Sequence, residues 1–97
     1  MRELETVIGE VVLSRRKRQR LTQEALAEAT GLHHTYIGLI ERGLRCPSAR
    51  VLIALAEGLD TTAASLMASV ERELAKAKSA KRPAPKKRVP RKRSTRR

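Results

Sequence analysis

Residues 21–43, LTQEALAEATGLHHTYIGLIERG, constrain the fold more than any other stretch of this 97-residue chain. Apolar residues recur there at helical spacing and are interrupted at Gly31. The pattern predicts two short helices joined by a tight turn. The first starts at Thr22, whose hydroxyl can cap a helix, with Gln23 and Glu24 in the first turn. Ala25, Leu26 and Ala29 are expected on its buried side. Gly31 suits a turn that needs positive φ, and Leu32 then plugs the space between the helices. The second helix spans about His33–Glu41, with Ile37 and Ile40 inward and His34, Thr35, Gly38 and Leu39 on other faces. Gly43 is the expected left-handed cap.

The flanking segments extend the pattern to an all-α, five-helix domain. Leu4, Val7, Ile8, Val11 and Val12 recur at threes and fours, predicting a helix from about Leu4 to Gln19. Its basic end, Arg15-Arg16-Lys17-Arg18, suits the negative pole of a helix dipole. A fourth helix begins after Pro47 with Ser48 as cap, buries Val51, Leu52, Leu55 and Ala56, and stops at Gly58. A fifth begins at Thr62 and carries Leu66, Met67, Val70 and Leu74. Tyr36 is the one aromatic residue, so the core must be built from Leu, Ile, Val and Ala. Such side chains suit small helices packed closely.

Charge divides the chain in two. Residues 1–75 hold ten Lys/Arg and ten Asp/Glu, whereas residues 76–97 hold twelve Lys/Arg and no acid. The whole net charge of +12 therefore sits in the C-terminal stretch. Residues 1–77 are expected to form the domain, and 78–97, with Pro83, Pro85 and Pro90 among like charges, a disordered tail. A polycation of this kind seeks a polyanion such as nucleic acid or anionic lipid.

Two short helices in which one braces a polar partner are the helix-turn-helix arrangement that presents a helix to a DNA groove. At these residues the sequence resembles the Cro/lambda-repressor-like (Xre) helix-turn-helix domains, over roughly residues 6–70. The resemblance is carried by Arg16, Thr22-Gln23, Leu26-Ala27, Gly31, Ile37, Ile40-Glu41-Arg42-Gly43, Pro47-Ser48, and Leu55-Ala56 before Leu59. The segment LHHTYIGLIERG also resembles the recognition helix of controller proteins of restriction–modification systems. The resemblance implies a pair between Arg16 and Glu41. Elementary chemistry supports it, because a guanidinium–carboxylate fork fixes the angle between two helices.

The resemblance further implies that helix 33–41 lies in the major groove of double-stranded DNA, with His33, His34, Thr35 and Leu39 near base edges. Imidazole can donate to guanine or accept from an exocyclic amine, and threonine or leucine can touch a thymine methyl. Thr22 and Gln23, at the positive end of the preceding helix, are expected to meet phosphates, as are Tyr36, Arg42 and Arg45. For Tyr36 the competing expectation is partial core packing. Leu66, Met67, Val70 and Leu74 are expected to supply a homodimer interface, against the alternative that they are all internal core. The basic tail would add affinity without sequence preference.

Other chemistry has little support. No glycine-rich phosphate loop, nucleophile elbow or carboxylate pair is present, so no enzyme activity and no cofactor are expected. His33, His34 and Cys46 lack the spacing of a metal site. The lone Cys46 suits a reducing compartment, and no apolar run of membrane-spanning length or signal peptide is legible. The expected place of action is thus the cytoplasm, and the family resemblance implies a bacterial nucleoid. Two further readings stand beside a sequence-specific regulator: an architectural nucleoid protein dominated by its tail, and an antitoxin-like regulator that binds an unidentified protein.

Overall fold

A computed structural model describes the backbone of residues 3–81 and the side chains of residues 3–76. Five helices follow in order: α1 Leu4–Arg18, α2 Gln23–Thr30, α3 His34–Glu41, α4 Ala49–Gly58 and α5 Ala63–Lys81. Among the described residues there is no strand, and no single helix is long and apolar enough to cross a membrane.

Hydroxyl caps fix three of the helix starts. Thr22 Oγ1 accepts from the Ala25 N–H at 2.9 Å, Ser48 Oγ from Val51 at 3.2 Å, and Thr62 Oγ1 from Ser65 at 3.0 Å. Each satisfies an amide that the helix itself cannot pair, worth about 1 kcal/mol. Gly31 and Gly43 adopt φ of 77° and 76°, closing the turns after α2 and α3. Arg20 and Asp60 reach the same left-handed region without being glycine, with φ of 61° and 58°.

Fully buried Val7, Val12, Leu26, Ile37, Ile40, Leu55, Leu59, Leu66 and Val70 form one core to which every helix contributes. α1 lies between α3 and α5, α2 packs on α3 and α4, and α4 packs on α5. The α1–α3 approach depends on Gly9. A Cβ there would lie 2.3 Å from the Ile40 carbonyl oxygen and 2.7 Å from that of Glu41.

The structure corrects several sequence expectations. In α2 the buried pair is Leu26 and Ala27; Ala29 is exposed and Ala25 half-buried. Gly38 is buried, because α2 crosses α3 above it. Leu4, expected in the core stripe of α1, is 42 % exposed at the open end of the helix. α5 continues through Lys81 instead of ending near Ala77. Residues 78–81 contain no helix breaker, and Pro83 is the first residue to oppose helical geometry in its predecessor. The disorder expected for residues 82–97 lies outside the described residues.

Leu66 and Val70 are also corrected as dimer-contact residues. Each is 1 % exposed within a single chain and has no area to give to a partner. Met67 and Leu74 pack against the same core but remain partly open.

Candidate nucleic-acid interface

The interface is built on a hydrogen-bonded junction of three helices. Arg16 of α1 donates from Nε to Glu41 Oε2 at 2.6 Å and from Nη2 to Glu41 Oε1 at 3.0 Å. Its Nη1 donates to the Leu21 carbonyl at 2.7 Å. Glu41, the last residue of α3, also accepts from Gln23 Nε2 of α2 at 2.9 Å. Arg16 and Glu41 are 9 % and 8 % exposed, so the charges are largely removed from water. The hydrogen bond to Glu41 raises the Arg16 pKa above the ordinary arginine value, against the opposing effect of burial.

This junction changes the reading of Gln23. The residue stands at the N-terminal end of α2, but its amide is already committed to Glu41 and lies beside Gly38. One amide N–H remains for a phosphate. Nothing in local sequence announced the Gln23–Glu41 bond, because the residues meet only when α2 crosses α3.

α3 presents an exposed polar N-terminal end. His33, His34 and Thr35 are all exposed. His33 caps the helix: its Nδ1 accepts from the Thr35 N–H at 3.1 Å. A ring nitrogen that accepts carries no proton, so this geometry leaves Nε2–H as the outward donor of a neutral His33. The His33 and His34 rings stack with centroids 4.6 Å apart. His34 Nδ1 lies 4.0 Å from Glu24 Oε2 of α2. Leu39 is half-buried rather than freely presented.

The other residues expected to meet phosphates sit around this helix. The Thr22 hydroxyl oxygen serves as the α2 cap and keeps its proton for donation. Tyr36 is half-buried against the core, and the Arg45 guanidinium lies 5.8 Å from its ring centroid. The cation is therefore held over the ring face. Arg42 Nε donates to the Gly38 carbonyl at 3.2 Å, closing the end of α3 and leaving its outer N–H groups free. Cys46 is exposed in the α3–α4 loop.

These elements arrange a short helix with a polar N-terminal end, braced from behind by α2, with cations at its far end. Residues 12–66 match the family model described as helix-turn-helix. The chain belongs to the helix-turn-helix family. It is a DNA-binding regulator of that family. It is 42 % identical over 65 residues to the control protein C.SmaI of Serratia marcescens, covering 67 % of this chain and 77 % of that one. Its fold matches the restriction–modification controller protein C.AhdI from Aeromonas hydrophila with a TM-score of 0.62 and 34 % identity. That match covers 64 % of this chain and 94 % of the other. The controller protein C.Esp1396I, solved as a tetramer with its natural 35 base-pair operator, aligns with a TM-score of 0.70 at 27 % identity. Here 77 % of this chain and 99 % of the other are covered.

Two features escaped sequence reasoning. The His33 cap was hidden because histidine is not among the preferred capping residues. The Gly9 approach did leave a signal, an isolated glycine in a helical run of valines and isoleucine.

Proposed function

We propose that the chain is a sequence-specific regulator that reads operator DNA as a homodimer, in the manner of restriction–modification controllers. The observation that carries this reading is the Arg16–Glu41–Gln23 junction, which fixes a polar-ended α3 against the start of α2. In this reading α3 enters the major groove. His33, His34 and Thr35 lie near base edges, Leu39 touches a thymine methyl, and His33 offers Nε2–H to an acceptor such as guanine N7 or O6. Thr22, Gln23, Tyr36, Arg42 and Arg45 hold the phosphates on either side. The second copy covers the apolar surface that one chain leaves open, Met67 and Leu74 of α5 with Ile53 of α4, which is 51 % exposed. The C.Esp1396I tetramer on its operator supports an assembly of more than one chain. The tail adds phosphate contacts without sequence preference, and the place of action is the nucleoid.

The test is selection from a random duplex library near physiological salt, with the full chain and with a chain ending at Lys81. A shared motif with two-fold symmetry in both is expected. Broad binding by the full chain that vanishes on truncation would reject sequence reading and favour an architectural protein.

A further inference from the structure

On the side of α1 turned from α3, the seam with α5 opens into a cavity of about 350 Å³. Its lining includes three arginines, Arg15 and Arg18 of α1 and Arg72 of α5, together with Ser14 and Ser69. None of the three guanidiniums is ion-paired with a carboxylate among the described residues. Arg15 is instead held by hydroxyls: it donates to Thr61 Oγ1 at 3.4 Å, Ser65 Oγ at 3.3 Å and Ser69 Oγ at 3.0 Å. Arg72 Nη2 donates to the same Ser69 Oγ at 3.2 Å. Two cations thus converge on one neutral oxygen.

Like charges brought together repel, the hydroxyls compensate them only as dipoles, and the three guanidiniums outnumber the two carboxylates on the lining, Glu10 and Glu73. Donors also predominate on the lining, with the carboxylates of Glu10 and Glu73 as the exceptions. Ser69 Oγ already accepts from two guanidiniums, so its O–H is left to donate. Ser14 and Arg18 add further donors at the same wall. A group that only accepts, carries negative charge and is small satisfies all of these at once. Two carboxylates, Glu10 and Glu73, also line the cavity. Glu73 is paired with Lys76 at 3.3 Å, and Glu10 has a partner of its own. Their charges limit the site to a single small anion and disfavour a polyanion.

We propose that the α1–α5 seam is a binding site for a small oxyanion, a free phosphate or a phosphate-bearing small molecule, held by Arg15, Arg18, Arg72 and the hydroxyls of Ser14 and Ser69. The site is separate from the DNA-reading face, because α1 meets α3 through Gly9 and Arg16 and meets α5 through Arg15. It therefore stands whether or not the operator reading holds.

The probe is inorganic phosphate, titrated into the full chain at ionic strength held constant with sodium chloride. The expected result is a saturable rise in melting temperature, roughly 5–10 °C at tenfold excess over the dissociation constant. Backbone amide resonances of Ser14 and Ser69 should shift over the same range. The exposed arginines are replaced as Arg18→Gln and Arg72→Gln, which leave the core untouched and keep every tail cation. The double variant should bind phosphate at least about tenfold more weakly, the loss expected for charge-assisted hydrogen bonds. Equal stabilisation by phosphate and chloride would overturn the proposal, as would an unchanged titration in the double variant. Titration with a short duplex forms the second arm. Shifts at Ser14 and Ser69 with duplex but not with phosphate would assign the cleft to the DNA backbone and overturn the small-ligand site.

Discussion

Replacing Arg16 by methionine should unfold much of the margin on which this domain stands. The substitution removes both bonds to Glu41, at 2.6 and 3.0 Å, and the bond to the Leu21 carbonyl at 2.7 Å. The Glu41 carboxylate, 8 % exposed, is then left with the Gln23 amide alone. Breaking one side of a buried ion pair costs about 3–5 kcal/mol, and the surviving Gln23 bond places this case near 3. A domain of this size is stable by roughly 4–12 kcal/mol, so the variant folds but melts roughly 12–24 °C lower. Glu41→Leu should cost a similar amount, because it strands the guanidinium. The double variant Arg16→Met/Glu41→Leu buries no charge and should recover at least about 2 kcal/mol relative to the sum of the singles. Urea denaturation followed by far-ultraviolet circular dichroism measures all four free energies. Additivity of the two singles within about 0.5 kcal/mol would refute the reasoning. The pH dependence carries the same logic. The folded Arg16 pKa is raised, so its contribution is fully present below the unfolded value and is lost only as pH rises through the folded one. An arginine guanidinium stays protonated well beyond pH 10 even when unfolded, so raising pH from 7 to 10 should remove none of the Arg16 contribution, checked as the difference between wild type and Arg16→Met.

Two glycines in helices should respond oppositely to alanine. Gly9→Ala drives a Cβ to 2.3 Å from the Ile40 carbonyl and should cost about 1–3 kcal/mol, whereas at Gly38 the nearest atoms, of Gln23, stand 3.6 Å away and Gly38→Ala should gain up to about 1 kcal/mol; chemical denaturation compares them. His33→Ala removes the α3 cap and should cost about 1 kcal/mol, while His33→Asp should keep the stability, since aspartate also accepts from the helix amide, but should weaken DNA binding by repelling phosphate; denaturation and fluorescence anisotropy separate the two effects. Ile53→Asp changes a residue 51 % exposed in one chain, so it should leave the monomer fold intact and shift sedimentation velocity towards monomer. The chain ending at Lys81 lacks nine of the twelve basic residues in 76–97, and its log–log salt slope for DNA should fall by up to about eight units if every one of them meets a phosphate.

The sequence alone determined the order of the helices, their caps apart from His33 of α3, and the identity of most core residues. Thr22, Gly31, Gly43, Ser48 and Thr62 act through bonds or angles within a few residues of themselves, and such local terms are written in local sequence. The apolar spacing of Val7, Val12, Ile37, Ile40, Leu55, Leu66 and Val70 likewise followed from helical periodicity. The tertiary structure decided what depends on how helices cross. It set how closely α1 approaches α3 at Gly9, and it turned Gly38 inward and Ala29 outward. It also drew Gln23, at the N-terminal end of α2, into a bond with Glu41, and it spent Leu66 and Val70 on the chain's own core. The three arginines of the α1–α5 seam belong to the same class. Arg15 and Arg72 are 57 positions apart, and no local pattern records that two cations will meet at one hydroxyl. Periodicity reports which face of a helix is apolar; only packing determines which neighbour that face and its edges will touch.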